Sequence, residues 1–226
     1  MDPFDEFDVA AVAALVTLPP SLAERRTWFA EQVVAAHERV CRFAVRFGWE
    51  SRMRVFWSRG IEIHATQAGL WRRICELCSL PPGTPAPTPT LAAALEGETL
   101  LVIDPARYAQ VQPRYAAAAG AYERLLAHEM AHRLHVAILD GDEQAMGPVW
   151  FFEGFAVVAS DDLVGLEVAT PADVWEHVAA EGDGAYAHYA AALRCFMQFV
   201  PLHALVRAAG RDDFAGWLRR SLAGGA

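Results

Sequence analysis

Apolar residues recur at helical spacing through Leu22, Phe29, Val33, Ala36, Val40, Ala44 and Phe47, which predicts a long amphipathic helix from Ser21 to Gly48. Pro19-Pro20 stops whatever precedes it, and Ser21 with Glu24 reads as a capping box. The period then changes. Basic and apolar residues alternate over 52–57, a second short alternation covers 61–64, and both read as strands. Gly69 to Leu80 returns to helical spacing, after which Pro81, Pro82, Pro85, Pro87 and Pro89 lack the amide hydrogens that a helix or central strand requires. A stiff surface loop follows from that. Thr99 to Ile103 is a continuous apolar, partly β-branched run closed by Asp104-Pro105, as in a strand buried on both faces or lying beside a cleft.

From Pro113 onward the pattern is helical. An alanine-rich helix runs to Leu139 and stops at Asp140-Gly141, and Pro148 opens another that reaches Ser160. Thr170-Pro171 starts a further helix, followed by 185–200, 202–209 and 213–222. The expected fold is α+β and mostly helical. Residues 1–20 form an N-terminal arm and 21–226 a single domain, with a helix and strand half at 21–112 and a helical half at 113–226.

The 54% hydrophobic content and seven tryptophans exclude a disordered chain, and a net charge of −9 disfavours nucleic acid, for which no basic patch is present. No run of eighteen apolar residues exists to span a membrane as a helix. The apolar run from Val9 to Val16 follows Asp2, Asp5, Glu6 and Asp8, the opposite charge to that of a signal peptide, so a cytoplasmic location is expected. Of four cysteines only Cys75 and Cys78 form a C-x-x-C pair. It lies in a helical apolar pattern with no second pair, which favours buried thiols over a metal site.

The chemistry concentrates further along. His128-Glu129-Met130-Ala131-His132 is an H-E-x-x-H sequence, and its two imidazoles, four residues apart, share one face of the helix. Both can reach one zinc ion, for which neutral imidazole is a suitable donor. Glu129, rotated by about 100° from His128, flanks the metal without binding it and is placed to take a proton from the activated water. A third ligand is expected from the next helix, where Glu153 sits among Trp150, Phe151, Phe152 and Phe155. At 1.5 Å per residue the first helix climbs about 10 Å from His132 to Leu139, and the second returns about 7.5 Å from Pro148 to Glu153.

Together, His128-Glu129-x-x-His132 and Trp150-x-x-Glu153-Gly154-x-Ala156 resemble the H-E-x-x-H and W-x-x-E-G-x-A motifs of gluzincin peptidases, including the M1 aminopeptidase-like branch. The resemblance covers residues 99–200. It implies a zincin-like metalloprotease core with a small sheet and a zinc-binding helix pair, Zn2+ as cofactor, Glu153 as third metal ligand and a peptide or protein substrate. It also implies a tyrosine on a later helix that steadies the tetrahedral oxyanion, and Tyr186 occupies that place. The family pattern there resembles Y-x-K-G-A-x-x-L, whereas this chain reads Tyr186-Ala187-His188-Tyr189-Ala190-Ala191-Ala192-Leu193, without the lysine and glycine. His188 and Tyr189 therefore stand beside Tyr186 as oxyanion donors. The G-A-M-E-N exopeptidase motif is absent, so aminopeptidase specificity is not implied. The expected function is hydrolysis of peptide bonds by zinc-activated water with Glu129 as general base. The alternative is a zinc-binding interaction module without catalysis.

His135 is about 10 Å along the helix axis from His128, too far to share one ion with it, and is expected on the helix surface or supporting a ligand from behind. Ser160 and Asp161 are candidates to orient a metal-bound imidazole. His37, His64, His177 and His203 show no ligand spacing, and Trp28, Trp57, Trp71, Trp175 and Trp217 are expected in the core.

Overall fold

The computed structural model describes residues 8–55, 60–86, 92–96, 99–161, 166–182 and 184–223. The protein is mostly helical, with one four-stranded mixed sheet. It divides into two compact units, residues 1–41 with 54–130 and residues 42–53 with 131–226. Two of the three divisions fall inside long helices and the third in the turn Glu50–Val55.

In the first unit Asp8 caps helix α1 (Val9–Leu15) by accepting the Ala11 amide at 2.6 Å. Strand β1 (Val16–Thr17) follows directly, so the N-terminal arm contributes a strand to the sheet. A 3₁₀ turn over Pro20–Arg25 then leads into α2 (Arg26–Arg46). The capping box expected at Ser21 does not form. Pro19 is the N-cap and Pro20 takes the first helical position, where a missing amide hydrogen costs nothing. The apolar stripe of α2 is buried as its spacing requires, at Phe29, Val33, Ala36, Val40 and Ala44.

Strands β2 (Gly60–His64), β3 (Ala93–Glu96) and β4 (Thr99–Ile103) complete the sheet, in the order β1-β2-β4-β3. β1 with β2 and β2 with β4 are parallel, while β3 pairs antiparallel with β4. A parallel pair needs a crossover, and α3 (Gln67–Leu77), capped by Thr66, lies on the path from β2 to β4. β4 is one of the two inner strands, with β2. None of its five residues is more than 4% exposed, which settles the choice left open by its continuous apolar run in favour of burial on both faces. β3 was not expected, because Ala93-Ala94-Leu95-Glu96 is made of good helix formers and takes its strand conformation from pairing with β4.

The alternation at 52–57 misled for a related reason. Glu50–Val55 is a 3₁₀ turn, and 56–59 lie outside the described residues. Gly48 ends α2 with φ of 68°, and the Trp49 amide, donating to the Ala44 carbonyl at 2.8 Å, folds the chain back. After β4, Asp104 accepts the amides of Ala106 and Arg107 and starts α4 (Pro105–Val111), followed by α5 (Pro113–Ala116). Gly120, with φ of 71°, interrupts the single helix expected from Pro113, and α6 spans Ala121–Ile138. The buried Tyr122 hydroxyl donates to the Ile103 carbonyl at 2.9 Å and ties the first turn of α6 to the end of β4. The sheet thus sets where the H-E-x-x-H helix begins.

In the second unit α6 ends in a Schellman motif. Asp140 takes the left-handed position with φ of 55°, the Gly141 amide donates to the Val136 carbonyl at 3.0 Å, and the Asp140 amide donates to Ala137 at 3.2 Å. Asp142 caps the short turn Glu143–Met146, and α7 (Val149–Ala159) follows. Thr170 and Asp173 form a capping box that opens a 3₁₀ turn and α8 (Val174–Val178). Then come α9 (Ala185–Phe196), α10 (Leu202–Ala208) and α11 (Phe214–Ala223). Among the described residues no helix is long and apolar enough to cross a membrane.

α7 is apolar almost all round and accordingly buried at Trp150, Phe151, Phe155, Ala156, Val157 and Ala159. Trp150 stacks on Phe214 at 6.0 Å and packs against Phe196 at 5.6 Å. α9 approaches α7 at Gly154, where a Cβ would lie 2.8 Å from the Tyr189 carbonyl oxygen. The obstacle is backbone and cannot swing aside. In an open helix Gly→Ala gains up to about 1 kcal/mol; here Gly154→Ala is expected to destabilise by about 1–3 kcal/mol, as overpacking does. A urea midpoint equal to or above that of the wild type would contradict this contact.

Candidate metal centre

His128 and His132 stand one turn apart on α6, and Glu153 is on α7. One donor atom from each lies within 4.8 Å of the other two. His132 Nε2 is 3.5 Å from Glu153 Oε2, with the two side chains 20% and 13% exposed. All three are half-buried, dry enough to strengthen binding and open enough for entry. Two imidazole nitrogens and a carboxylate oxygen form a borderline donor set. Tetrahedral donors about 2.1 Å from a zinc ion lie about 3.4 Å apart, close to the His132 and Glu153 separation. The donor set and its spacing fit a divalent ion held by three protein ligands.

One ligand has an aromatic neighbour. The Phe152 ring meets the His132 imidazole edge-on at 5.8 Å. Glu129, next to His128 in the chain, is half-buried and is not one of the three convergent ligands.

The three candidate oxyanion donors occupy different settings at the start of α9. Tyr186 is 39% exposed, its ring 6.2 Å from that of Tyr189. His188 faces His177 at 4.9 Å between ring centroids. Tyr189 is buried and its hydroxyl donates to the Ala180 carbonyl at 2.7 Å. Burial first, then the negative charges of Glu181 and Glu153, push the Tyr189 phenol above its usual range. Tyr189 therefore senses the charge of the carboxylate in the triad. Gly154, next to Glu153, is what admits the α9 backbone at that point. The E-G pair in the sequence was the available signal for this contact.

His135 is neither on the surface nor bonded to a ligand. It is 0% exposed, stacks on Phe155 at 4.4 Å and lies 5.7 Å from Phe151, and neither ring nitrogen has a hydrogen-bond partner among the described residues. Burial, and secondarily the charge of His132, lowers its pKa to about 3. The residue was misplaced because α7 brings two aromatic rings against it, which helical spacing alone does not reveal. Ser160 does not orient an imidazole: its hydroxyl donates to the Val157 carbonyl at 3.1 Å and closes its own helix. Asp161 takes a left-handed φ of 52° just past that helix.

Elsewhere His37 is buried against Cys41, His64 lies 3.6 Å from Glu62, and His203 packs on Trp49 at 4.6 Å. Cys75 and Cys78 are free thiols but not the buried ones expected. Cys75 is half-buried, and Cys78, the C-cap of α3, is exposed and donates to Glu96 at 3.3 Å. Trp28, Trp71, Trp175 and Trp217 are half-buried rather than core residues, each with an edge left to solvent, and Trp57 lies outside the described residues. No protein-family model, curated protein or solved structure matches the chain.

Proposed function

We propose that this chain is a zinc-dependent metallopeptidase of the gluzincin type, on a zincin-like core, acting on a peptide or protein substrate. The observation that carries the reading is the convergence of His128, His132 and Glu153 within 4.8 Å, with Glu129 adjacent in the chain to the first of them. A structural zinc site closes all four positions with protein ligands, whereas a catalytic one has three and keeps a place for water.

His128, His132 and Glu153 would hold the zinc, which when bound would polarise a carbonyl and lower the pKa of water from about 16 to about 7. Glu129 accepts the proton of the attacking water and delivers it to the departing amine nitrogen. The tetrahedral oxyanion needs a donor. Tyr186 has that role by the resemblance, with Tyr189 and His188 on the same helix as the other donors in reach of the proposal. The aromatic side chains of α7 exclude bulk water from the ligands and so strengthen every charge interaction there.

Elemental analysis of the purified protein tests the reading, with cleavage of a mixed peptide library followed in parallel. The wild type is expected to carry about one zinc per chain, and Glu153→Ala to bind it more than about 100-fold more weakly and to lose cleavage. Zinc without wild-type cleavage would favour an interaction module on a peptidase-like fold. Absence of zinc at neutral pH with excess metal supplied would remove both readings.

A further inference from the structure

A cavity of about 780 Å³ lies in the first unit between α3 and the proline-rich loop at 80–86. Its size falls in the range of about 300–1,000 Å³ common to small-molecule sites. Hydrogen bonds fix the loop. Trp71 Nε1 donates to the Thr84 carbonyl at 2.8 Å, and Thr84 donates to the Pro81 carbonyl from its amide at 3.2 Å and its hydroxyl at 2.6 Å. Pro81 and Pro82 fix the backbone between. These bonds tie the loop to α3 at Trp71 and fix its course beside the helix.

The walls are mainly apolar, from Leu70, Trp71, Leu80 and Pro82. Two charged residues lie on the lining, Arg72 and Glu76. Glu76 shares Arg73, at 3.2 Å, with Glu62, which Arg73 holds at 2.9 Å. Arg72 has no ion pair or hydrogen bond among the described residues. The groove thus presents mainly apolar walls and, among the described residues, one guanidinium without a direct partner. A neutral apolar ligand would leave that guanidinium unused, and a polar anion would leave the walls unused. We propose that this cavity binds a single-chain fatty carboxylate, its tail between α3 and the proline loop and its carboxylate on the Arg72 guanidinium.

The site contains none of the metal-binding triad, so its test is independent of peptidase activity. Titration calorimetry of the full chain with decanoate below its micelle concentration is expected to show saturable binding. Arg72→Gln is expected to weaken decanoate by about tenfold while leaving 1-decanol unchanged. Ala68 is exposed and lines the cavity, so Ala68→Trp fills the space without disturbing the core and is expected to abolish binding. Cys75 lines the same cavity; in a Cys78→Ser background, decanoate is expected to slow its alkylation. No decanoate binding by the wild type, full binding by Ala68→Trp, or equal losses of decanoate and decanol in Arg72→Gln would each overturn the proposal. Binding to anionic phospholipid vesicles without binding of monomeric decanoate would overturn it in favour of a membrane-surface contact.

Discussion

Replacing Glu129 by glutamine is expected to lower peptide hydrolysis by about 10²- to 10⁴-fold while leaving the zinc content unchanged. Glutamine keeps the shape and the helix propensity of glutamate, so α6 is undisturbed and the single loss is a group able to hold a proton. Glu129 is not among the three convergent donors, which is why metal content and rate separate in this variant. They do not separate in Glu153→Ala, where the ligand itself is removed. The measurement is kcat on a cleaved library peptide beside elemental analysis of the same preparation. Loss of zinc together with rate would make Glu129 a ligand or a structural support, and an unchanged rate would end its role as general base.

The part of the site that was legible in the sequence is the part that depends on local geometry. Four-residue spacing places His128 and His132 on one helical face wherever the helix packs, and the short return from α6 to α7 brings Glu153 back alongside. Position across the fold was less legible. His135 shares the helix and the residue type, but its surroundings depend on the α7 rings, against which it is buried. The choice among Tyr186, His188 and Tyr189 likewise depends on how α9 meets α7, which Gly154 decides through contact with a residue thirty-five positions away. Strand β3 and the turn at 50–55 fail for the same reason: β3 is made a strand by its partner β4, and alternation over six residues is outweighed by the turn that follows Gly48.

Acid is expected to destabilise the fold well above the pH at which carboxylates titrate, through two buried imidazoles. His37 is 1% exposed and burial lowers its pKa to about 4; His135, fully buried, is lowered to about 3 by burial and by His132. In the unfolded chain both return to about 6.5. As pH falls below that value the unfolded state takes up protons that the folded state refuses, so stability declines, and the decline continues until the folded values are reached. By pH 5 each group has removed on the order of 2 kcal/mol, together on the order of 4 kcal/mol, a large part of the 5–15 kcal/mol typical of a domain. The check is urea unfolding at pH 7.5 and pH 5.0, with chelator present so that loss of metal does not contribute. His37→Leu and His135→Phe should each flatten the difference by about half. His135→Phe should also raise stability at pH 7.5, because it removes two buried nitrogens that have no hydrogen-bond partner among the described residues and keeps a ring stacked on Phe155. Undiminished pH dependence in the double variant would mean that other groups drive the acid transition.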